Sequence, residues 1–385
     1  MTVLAGGNAI ALLENGLQYF PALEDEIDNA RSEIFFQTYI FDPDKTGRRI
    51  AAALVRAAAR GVAVHLLVDG FGGRAFVREL MPELVSCGVQ VLIYRMELST
   101  LSLRRHRLRR MHRKVVVVDG RVAFVGGINV VDDVSGAAVE HPRYDYAVRV
   151  EGPLLGPIVD SVHRLWRMLA WASFRRRVSV PVLAPARVEP VGDLRAGFVI
   201  RDNLRHRHDI ENAYLDAIGR ARDEVVIANA YFFPGRRFRQ ALVEAAARGV
   251  KVILLLQGMA DHPVQQYATR ALYPFFLERG IRLFEYHRSV LHAKVAVVDG
   301  CWVTVGSSNI DVFSLMMARE ANVVVEDAGF AATLRASLNA AMRDGARELR
   351  RADWKRLPSL RRLLTWLAYQ GVRLAIGIAG YGGKH

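Results

Sequence analysis

The chain has 385 residues, 51% of them hydrophobic and 24% charged, which allows a large buried core and excludes a disordered polyelectrolyte. Its 53 Lys and Arg against 39 Asp and Glu leave a formal charge of +14, which points to an anionic partner: nucleic acid, an anionic membrane surface or a phosphate-bearing substrate. Two cysteines, Cys87 and Cys301, make no disulfide framework and no zinc spacing, the N-terminus lacks the features of a signal peptide, and no run of about 20 uninterrupted apolar residues predicts a membrane span.

In chain order, residues 18–31 read as a helix with Leu23, Ile27 and Ala30 on one face, and 33–41 as a strand. An Ala-rich helix over 47–60 stops at Gly61, a natural C′ glycine, and 62–68 form the next strand before Asp69-Gly70. A helix over 74–87, Gly88 and a strand over 89–94 follow. This βαβαβ alternation predicts an α/β fold with a mostly parallel sheet and helices on both faces. The second half repeats it. AAARGVKVILLLQG (245–258) matches AAARGVAVHLLVDG (57–70) at ten of fourteen positions, ARDEVVIANAYFF (221–233) matches ARSEIFFQTYIF (30–41), and residues 272–286 match 80–94. The chain is therefore a tandem duplication. Its expected domains are a first half over 1–172, a linker over 173–197, a second half over 198–345, and a basic amphipathic tail over 346–385. The helix starting at 328 is expected to run to 356 and break at Pro358.

Each half carries the same hairpin. His112-Arg113-Lys114, an apolar strand, Asp119-Gly120, a second strand and Gly126-Gly127-Ile128-Asn129 form one copy. His292-Ala293-Lys294, Asp299-Gly300 and Gly306-Ser307-Ser308-Asn309 form the other. The spacing is identical in both. His and Lys two residues apart leave a strand on one face, and Asp-Gly is a strong hairpin signal. A neutral imidazole can attack phosphorus, and a second, protonated one can donate to the leaving oxygen. Lys114, Lys294, Asn129, Asn309 and Ser307 would supply donors around the non-bridging oxygens. Ser307 is matched by Gly127, so only one half brings that hydroxyl. Each imidazole needs a group to fix its tautomer. Asp145 in DYAVRVE and Glu320 in EANVVVE occupy matching places, and are expected to orient His112 and His292 respectively. Asp119 and Asp299 sit at the hairpin turns and are expected to be structural, and Ser308 and Asp311 to be turn or cap residues.

The doubled HxKxxxxD pattern with its Gly-rich turn and Asn resembles the phospholipase D superfamily over about residues 20–330. Within it, HRKVVVVDGRVAFVGGIN and HAKVAVVDG with TVGSSNIDVFSL resemble the bacterial cardiolipin synthases of the B type, which lack paired N-terminal spans. The resemblance implies two α/β units, two sheets flanked by helices, packed about a pseudo-two-fold axis. It also implies a phosphatidyl transfer through a phosphohistidine, with His112 as nucleophile and His292 as general acid and base, no metal or other cofactor, and phospholipid substrates such as phosphatidylglycerol. Peripheral attachment to the cytoplasmic side of a bacterial inner membrane is the matching location.

For a lipid substrate speak Trp166, Trp171 and the basic, apolar segment 359–379 with Trp366; that segment could equally dock on the protein core. Arg104, Arg105, Arg107, Arg109 and Arg110 crowd the approach to His112 and would suit either an anionic head group or nucleic-acid phosphates. Two alternatives stand beside the transferase: a phosphodiesterase or nuclease of the same fold, and an inactive lipid- or nucleic-acid-binding module, against which the intact motifs in both halves argue.

Overall fold

The computed structural model describes residues 2–95, 109–132, 141–172, 185–202, 205–259, 263–311, 318–352, 365 and 367–371. The first half contains β1 (Ala5–Glu14), α1 (Asn15–Asp28), β2 (Glu33–Thr38), α2 (Lys45–Ala59), β3 (Ala63–Asp69), α3 (Arg74–Glu79), α4 (Met81–Ser86), β4 (Gln90–Tyr94), β5 (Arg110–Met111), β6 (Lys114–Val118), β7 (Val122–Gly126), β8 (Tyr146–Glu151) and α5 (Leu155–Ala172). The second contains β9 (Leu194–Arg201), α6 (Asp209–Arg220), β10 (Glu224–Asn229), α7 (Arg236–Ala247), β11 (Lys251–Gln257), α8 (Pro263–Arg270), α9 (Tyr273–Leu277), β12 (Arg282–Tyr286), β13 (Lys294–Val298), β14 (Trp302–Gly306), β15 (Ala318–Glu326), α10 (Ala328–Gly345) and β16 (Ala346–Leu349).

The fold is α/β and duplicated, as the repeats require. Among the described residues the strands join in the order β16-β12-β11-β10-β13-β14-β15-β9-β1-β8-β7-β6-β2-β3-β4, with β5 paired to β15. Strand β1 joins the two half-sheets, pairing antiparallel with β8 on one side and β9 on the other. Composition hid it: AGGNAIALLE has two glycines and no strict alternation. Asn8 staples it, its amide donating to the carbonyls of Ala5 (2.7 Å) and Leu194 (3.1 Å) while its oxygen accepts the Leu154 N–H (2.7 Å).

The expectation of a mostly parallel sheet needs correction. Parallel pairing along this path is confined to β2-β3-β4 and β10-β11-β12, the strands linked by helical crossovers. The hairpins β6-β7 and β13-β14, and the strands after them, add antiparallel neighbours. Two other expectations shift. The expected linker end at 197 falls inside β9, which begins at Leu194, and helix α10 stops at Gly345, where β16 turns back to pair with β12 at the sheet edge. The stretch Ala346-Arg347-Glu348-Leu349 has helical propensity, so edge pairing overrides local preference there.

One core cluster draws on both halves: Phe35, Val115 and Val148 from the first, Val226, Val295 and Val323 from the second, with α5 and α10 packed into it. Trp166 lies in that cluster at 1% exposure, so it is a core residue and not a membrane contact, while Trp171 is 84% exposed. The apolar stripe of α5 explains the difference, since Ile158, Val162, Leu165 and Trp166 share its buried face. Of the C-terminal segment, residues 367–371 are helical and Tyr369 packs on Phe233 with ring centroids 5.7 Å apart; the rest, Trp366 included, lies outside the described residues, as do Arg104, Arg105 and Arg107.

Asp119 and Asp299 hold the hairpins to their neighbours. Each adopts positive φ (52° and 49°) and is followed by a positive-φ glycine, the two-residue turn that Asp-Gly favours. The Asp119 carboxylate accepts backbone N–H groups of Arg31 (2.9 Å), Ser32 (2.8 Å) and Glu33 (3.0 Å). Asp299 accepts those of Arg222 (2.9 Å), Asp223 (2.9 Å) and Glu224 (3.0 Å). Partial burial pushes both carboxyls up, but these N–H donors outweigh it and hold both below the ordinary value. Asp299→Ala should lose the three bonds and strain the left-handed position, lowering unfolding free energy by about 2–3 kcal/mol in denaturant titration. Asp299→Asn, which tolerates that conformation, should lose about half as much. Because the folded pKa lies below the unfolded one, this stabilisation is present above the unfolded value, and the wild-type protein should lose it as pH falls through the folded value.

Candidate active site

The site lies where the two hairpins meet. Residues just before each histidine leave their own half and pair with the other. β5 runs parallel to the start of β15, and the His112 N–H donates to the Arg319 carbonyl at 2.9 Å. Tyr144 bridges to Leu291, and the His292 N–H donates to the Tyr144 carbonyl at 2.8 Å. This exchange brings the side chains of both motifs together.

It also reverses the expected carboxylate pairing. His112 Nδ1 lies 3.2 Å from Glu320 Oε1, and His292 Nδ1 lies 2.6 Å from Asp145 Oδ2. Asp145 therefore orients His292 and Glu320 orients His112. The sequence matched carboxylate to carboxylate but could not say which histidine each faces, because pairing within a half and pairing across halves both preserve the two-fold relation.

The tautomers follow from the acceptors. His112 Nδ1 is also 3.0 Å from the Ser307 carbonyl, which can only accept, so Nδ1 carries the hydrogen and Nε2 the lone pair. The short contact with ionised Asp145 assigns the same tautomer to His292. Lys294 Nζ lies 2.9 Å from that Nδ1 and directs hydrogen to the His292 carbonyl, with Asp145 Oδ2 3.6 Å away. Lys114 Nζ donates to the His112 carbonyl at 2.8 Å and lies over the Tyr39 ring, 5.3 Å from its centroid. Arg113, between His112 and Lys114, faces the other way and binds Gln37 (2.7 Å) and Ser161 (2.8 Å), as strand alternation requires.

Burial sets the protonation states. It drives both imidazoles towards the neutral form, reinforced by the two lysines: His112 falls well below its ordinary value, and His292 is lowered to about 3. Burial also lowers Lys114 well below the usual lysine range and Lys294 to about 8, against the pull of Asp145 and Glu320. Glu320 is pushed up to about 7 by burial, with Arg201, 3.7 Å away, opposing. Burial pushes Asp145 up as well, but Lys294, His292 and hydrogen bonds outweigh it and keep it below the ordinary carboxylate value.

Several positioning residues escaped the sequence reading. Ser308, expected to be a turn or cap residue, donates to Glu320 Oε2 at 2.6 Å. Tyr39 stands edge-on to His112, with ring centroids 5.0 Å apart. Asn15, at φ 59°, brackets the Asp145 backbone, donating its N–H to the Asp145 carbonyl (2.8 Å) and accepting the Asp145 N–H on Oδ1 (3.1 Å). Ser308 lies within the second motif, whereas Tyr39 and Asn15 lie outside both copies, and only the fold brings them near. Ser307 differs from expectation: its hydroxyl is fully buried between strands, bonding the Ala321 backbone (3.1 and 3.4 Å), so its contribution to the site is its carbonyl. The matching Gly127 has its own reason, since a Cβ there would lie 2.3 Å from Asp145 Oδ1. Asn129 Oδ1 accepts the Ile40 N–H at 3.2 Å, and Asn309 is buried with Oδ1 unpartnered. Among the described residues no three His, Cys, Asp or Glu side chains form a metal-binding group, and no helix is long and apolar enough to cross a membrane.

Known proteins place this geometry. The family described as cardiolipin synthase, PLD-like domain, matches residues 23–141 and 214–342, one segment in each half. The chain is 42% identical over 333 residues to cardiolipin synthase B of Escherichia coli K12, covering 86% of this chain and 80% of that protein. It is 33% identical over 326 residues to cardiolipin synthase A of Pseudomonas fluorescens SBW25, covering 84% and 66%. The fold resembles the crystal structure of phosphatidylserine synthase from Haemophilus influenzae Rd KW20, with a TM-score of 0.72 at 13% identity over 97% of this chain and 95% of that one. The chain thus belongs to the phospholipase D superfamily, in its cardiolipin synthase family and similar to the B type.

Proposed function

We propose that the protein is a cardiolipin synthase-type phosphatidyltransferase working through a phosphohistidine. The observation that carries the chemistry is the pair of oppositely clasped imidazoles, each with Nδ1 held across the two-fold and Nε2 left for reaction. The 42% identity to cardiolipin synthase B supports a phospholipid substrate over nucleic acid.

The two clasps differ, and the difference supports a division of labour. His292 faces an ionised carboxylate at 2.6 Å, which favours its imidazolium. His112 faces a neutral carbonyl and a glutamate that is half protonated near neutral pH, which leaves it a neutral nucleophile. Burial first and lysine charge second depress both imidazoles, and a bound phosphodiester anion would offset the lysine part and favour proton uptake by His292. His112 Nε2 then attacks phosphorus, forming the P–N bond as the bond to the head-group oxygen breaks. The His292 Nε2 proton goes to that leaving oxygen. In the second half-reaction the acceptor hydroxyl returns a proton to His292 and attacks phosphorus, breaking the P–N bond. Lys114, Lys294, Asn129 and Asn309 are assigned to the non-bridging oxygens. The phosphodiester count is conserved, so no nucleotide is consumed.

The same reading includes peripheral attachment to an anionic bilayer. It is supported by the exposed Trp171 and by Phe71, 44% exposed and flanked by the guanidinium groups of Arg74 and Arg110 at 4.6 and 4.7 Å.

Purified protein incubated with phosphatidylglycerol vesicles should yield cardiolipin and glycerol. His112→Ala and His292→Ala should each reduce the rate by at least about 10³-fold. With a phosphodiester carrying a p-nitrophenol leaving group, His292→Ala should still form the covalent adduct and His112→Ala should not. DNA cleavage without any phospholipid turnover would sink the lipid assignment. The pH profile of kcat/KM should rise as Glu320 ionises near 7 and fall above about 8 as Lys294 loses its cation, since cation loss weakens phosphate binding. Glu320→Gln should remove the acidic limb, and a profile unchanged by that substitution would exclude the clasp on His112.

A further inference from the structure

Position 257 breaks the internal symmetry. Aligned repeats put Asp69 at the end of β3 and Gln257 at the equivalent end of β11. Asp69 uses both oxygens on backbone: Oδ1 accepts from Phe71 (2.9 Å) and Gly72 (3.3 Å), and Oδ2 from Met111 (2.8 Å), the residue before His112. Gln257 keeps only the first kind of bond, Oε1 accepting the Met259 N–H at 3.2 Å. That bond identifies the oxygen end of the amide. The Nε2 donor has no partner among the described residues, although the residue is only 6% exposed.

Gln257 lines a cavity with Ala230, Tyr231, Leu256, Gln266 and Thr269. Its free space is about 270 Å³, open solvent included, and within it about 10 Å³ admits the centre of a water-sized group, room for one hydroxyl or water. The cavity adjoins the second motif. The Ala230 N–H donates to the carbonyl of Ala293, the residue after His292, at 2.9 Å, and Asn229 stands opposite Lys294 in the sheet.

We infer that this cavity is a subsite for a hydroxyl of a polyol head group on the attacking alcohol, with Gln257 Nε2 as its donor. The assignment rests on the phosphatidyl-transfer reading and names a residue that would select the acceptor within it. The lining is neutral, so it offers no carboxylate to an ammonium head group and no cation to a second phosphate. The Arg270 guanidinium, bound to the Gly258 carbonyl at 3.3 Å, is paired with Glu285 at 2.8 Å, so the pair adds no net charge beside the cavity. A glycerol-type alcohol fits: one hydroxyl attacks phosphorus beside His292 and another accepts from Gln257.

The test is a competition in one tube. Wild type, Gln257→Leu and Gln257→Glu are given phosphatidylglycerol vesicles with equal deuterated glycerol and 1-propanol, and labelled phosphatidylglycerol and phosphatidylpropanol are measured by mass spectrometry. The ratio is independent of how much of each variant folds. Wild type should prefer glycerol, and both variants should lower the glycerol-to-propanol ratio by about tenfold. An unchanged ratio, or no preference in wild type, overturns the subsite while leaving the transferase standing. No transfer to either alcohol by wild type sinks the transferase reading and the subsite with it.

Discussion

The site depends on the crossing of two short backbone segments. His112 hangs on β15 of the second half through the Arg319 carbonyl, and His292 hangs on the Tyr144 segment of the first. Each imidazole then takes its Nδ1 partner from the half it leans on. Each histidine is oriented from the opposite half, so the duplicated units are two parts of one candidate site. Strand β1 and the shared core, with α5 and α10 between the halves, supply the rigidity that this requires.

The crossing also concentrates charge. Two lysines and Arg201 are buried against only two carboxyl groups, Asp145 and Glu320, so basic groups outnumber acidic ones. Removing ammonium groups from water without full pairing is costly, and the lowered lysine values express that cost. A phosphodiester brings a negative charge that offsets this excess. The centre is thus preorganised for an anion, as electrostatic stabilisation of a phosphoryl transition state requires.

Much of this was legible in the chain. The duplication, the hairpins, and the His and Lys on one strand face all follow from local spacing, and so does the anchoring role of Asp119 and Asp299, because a turn is a local structure. What stayed hidden was relational. The pairing of Asp145 with His292 depends on which half each segment joins, and both choices give the same symmetric pattern in sequence. Ser308 reaches Glu320 through a sheet, and Arg201 and Tyr39 arrive from distant strands, so no spacing announces them. Trp166 misled for the opposite reason: a tryptophan in a basic protein suits a membrane interface, yet its helical register puts it on the core face of α5.

The departures from two-fold symmetry are where the chemistry must become unequal. A carboxylate of different length stands in each half, Asp145 at 2.6 Å from its imidazole and Glu320 at 3.2 Å. Gly127 leaves room for the shorter one, and Ser308, opposite Ile128 in the repeat, steadies the longer one. A symmetric pair of histidines would share protons equally and fix no direction for attack. Pairing one imidazole with an ionised aspartate, and the other with a carbonyl and a glutamate that titrates near neutrality, separates their affinities for the proton. The same drift away from symmetry replaces Asp69 by Gln257, at the end of a parallel strand where open α/β sheets place ligands. On the proposed reading, duplication supplied the cradle for the phosphate, and divergence at a few positions supplied the difference between donor and acceptor.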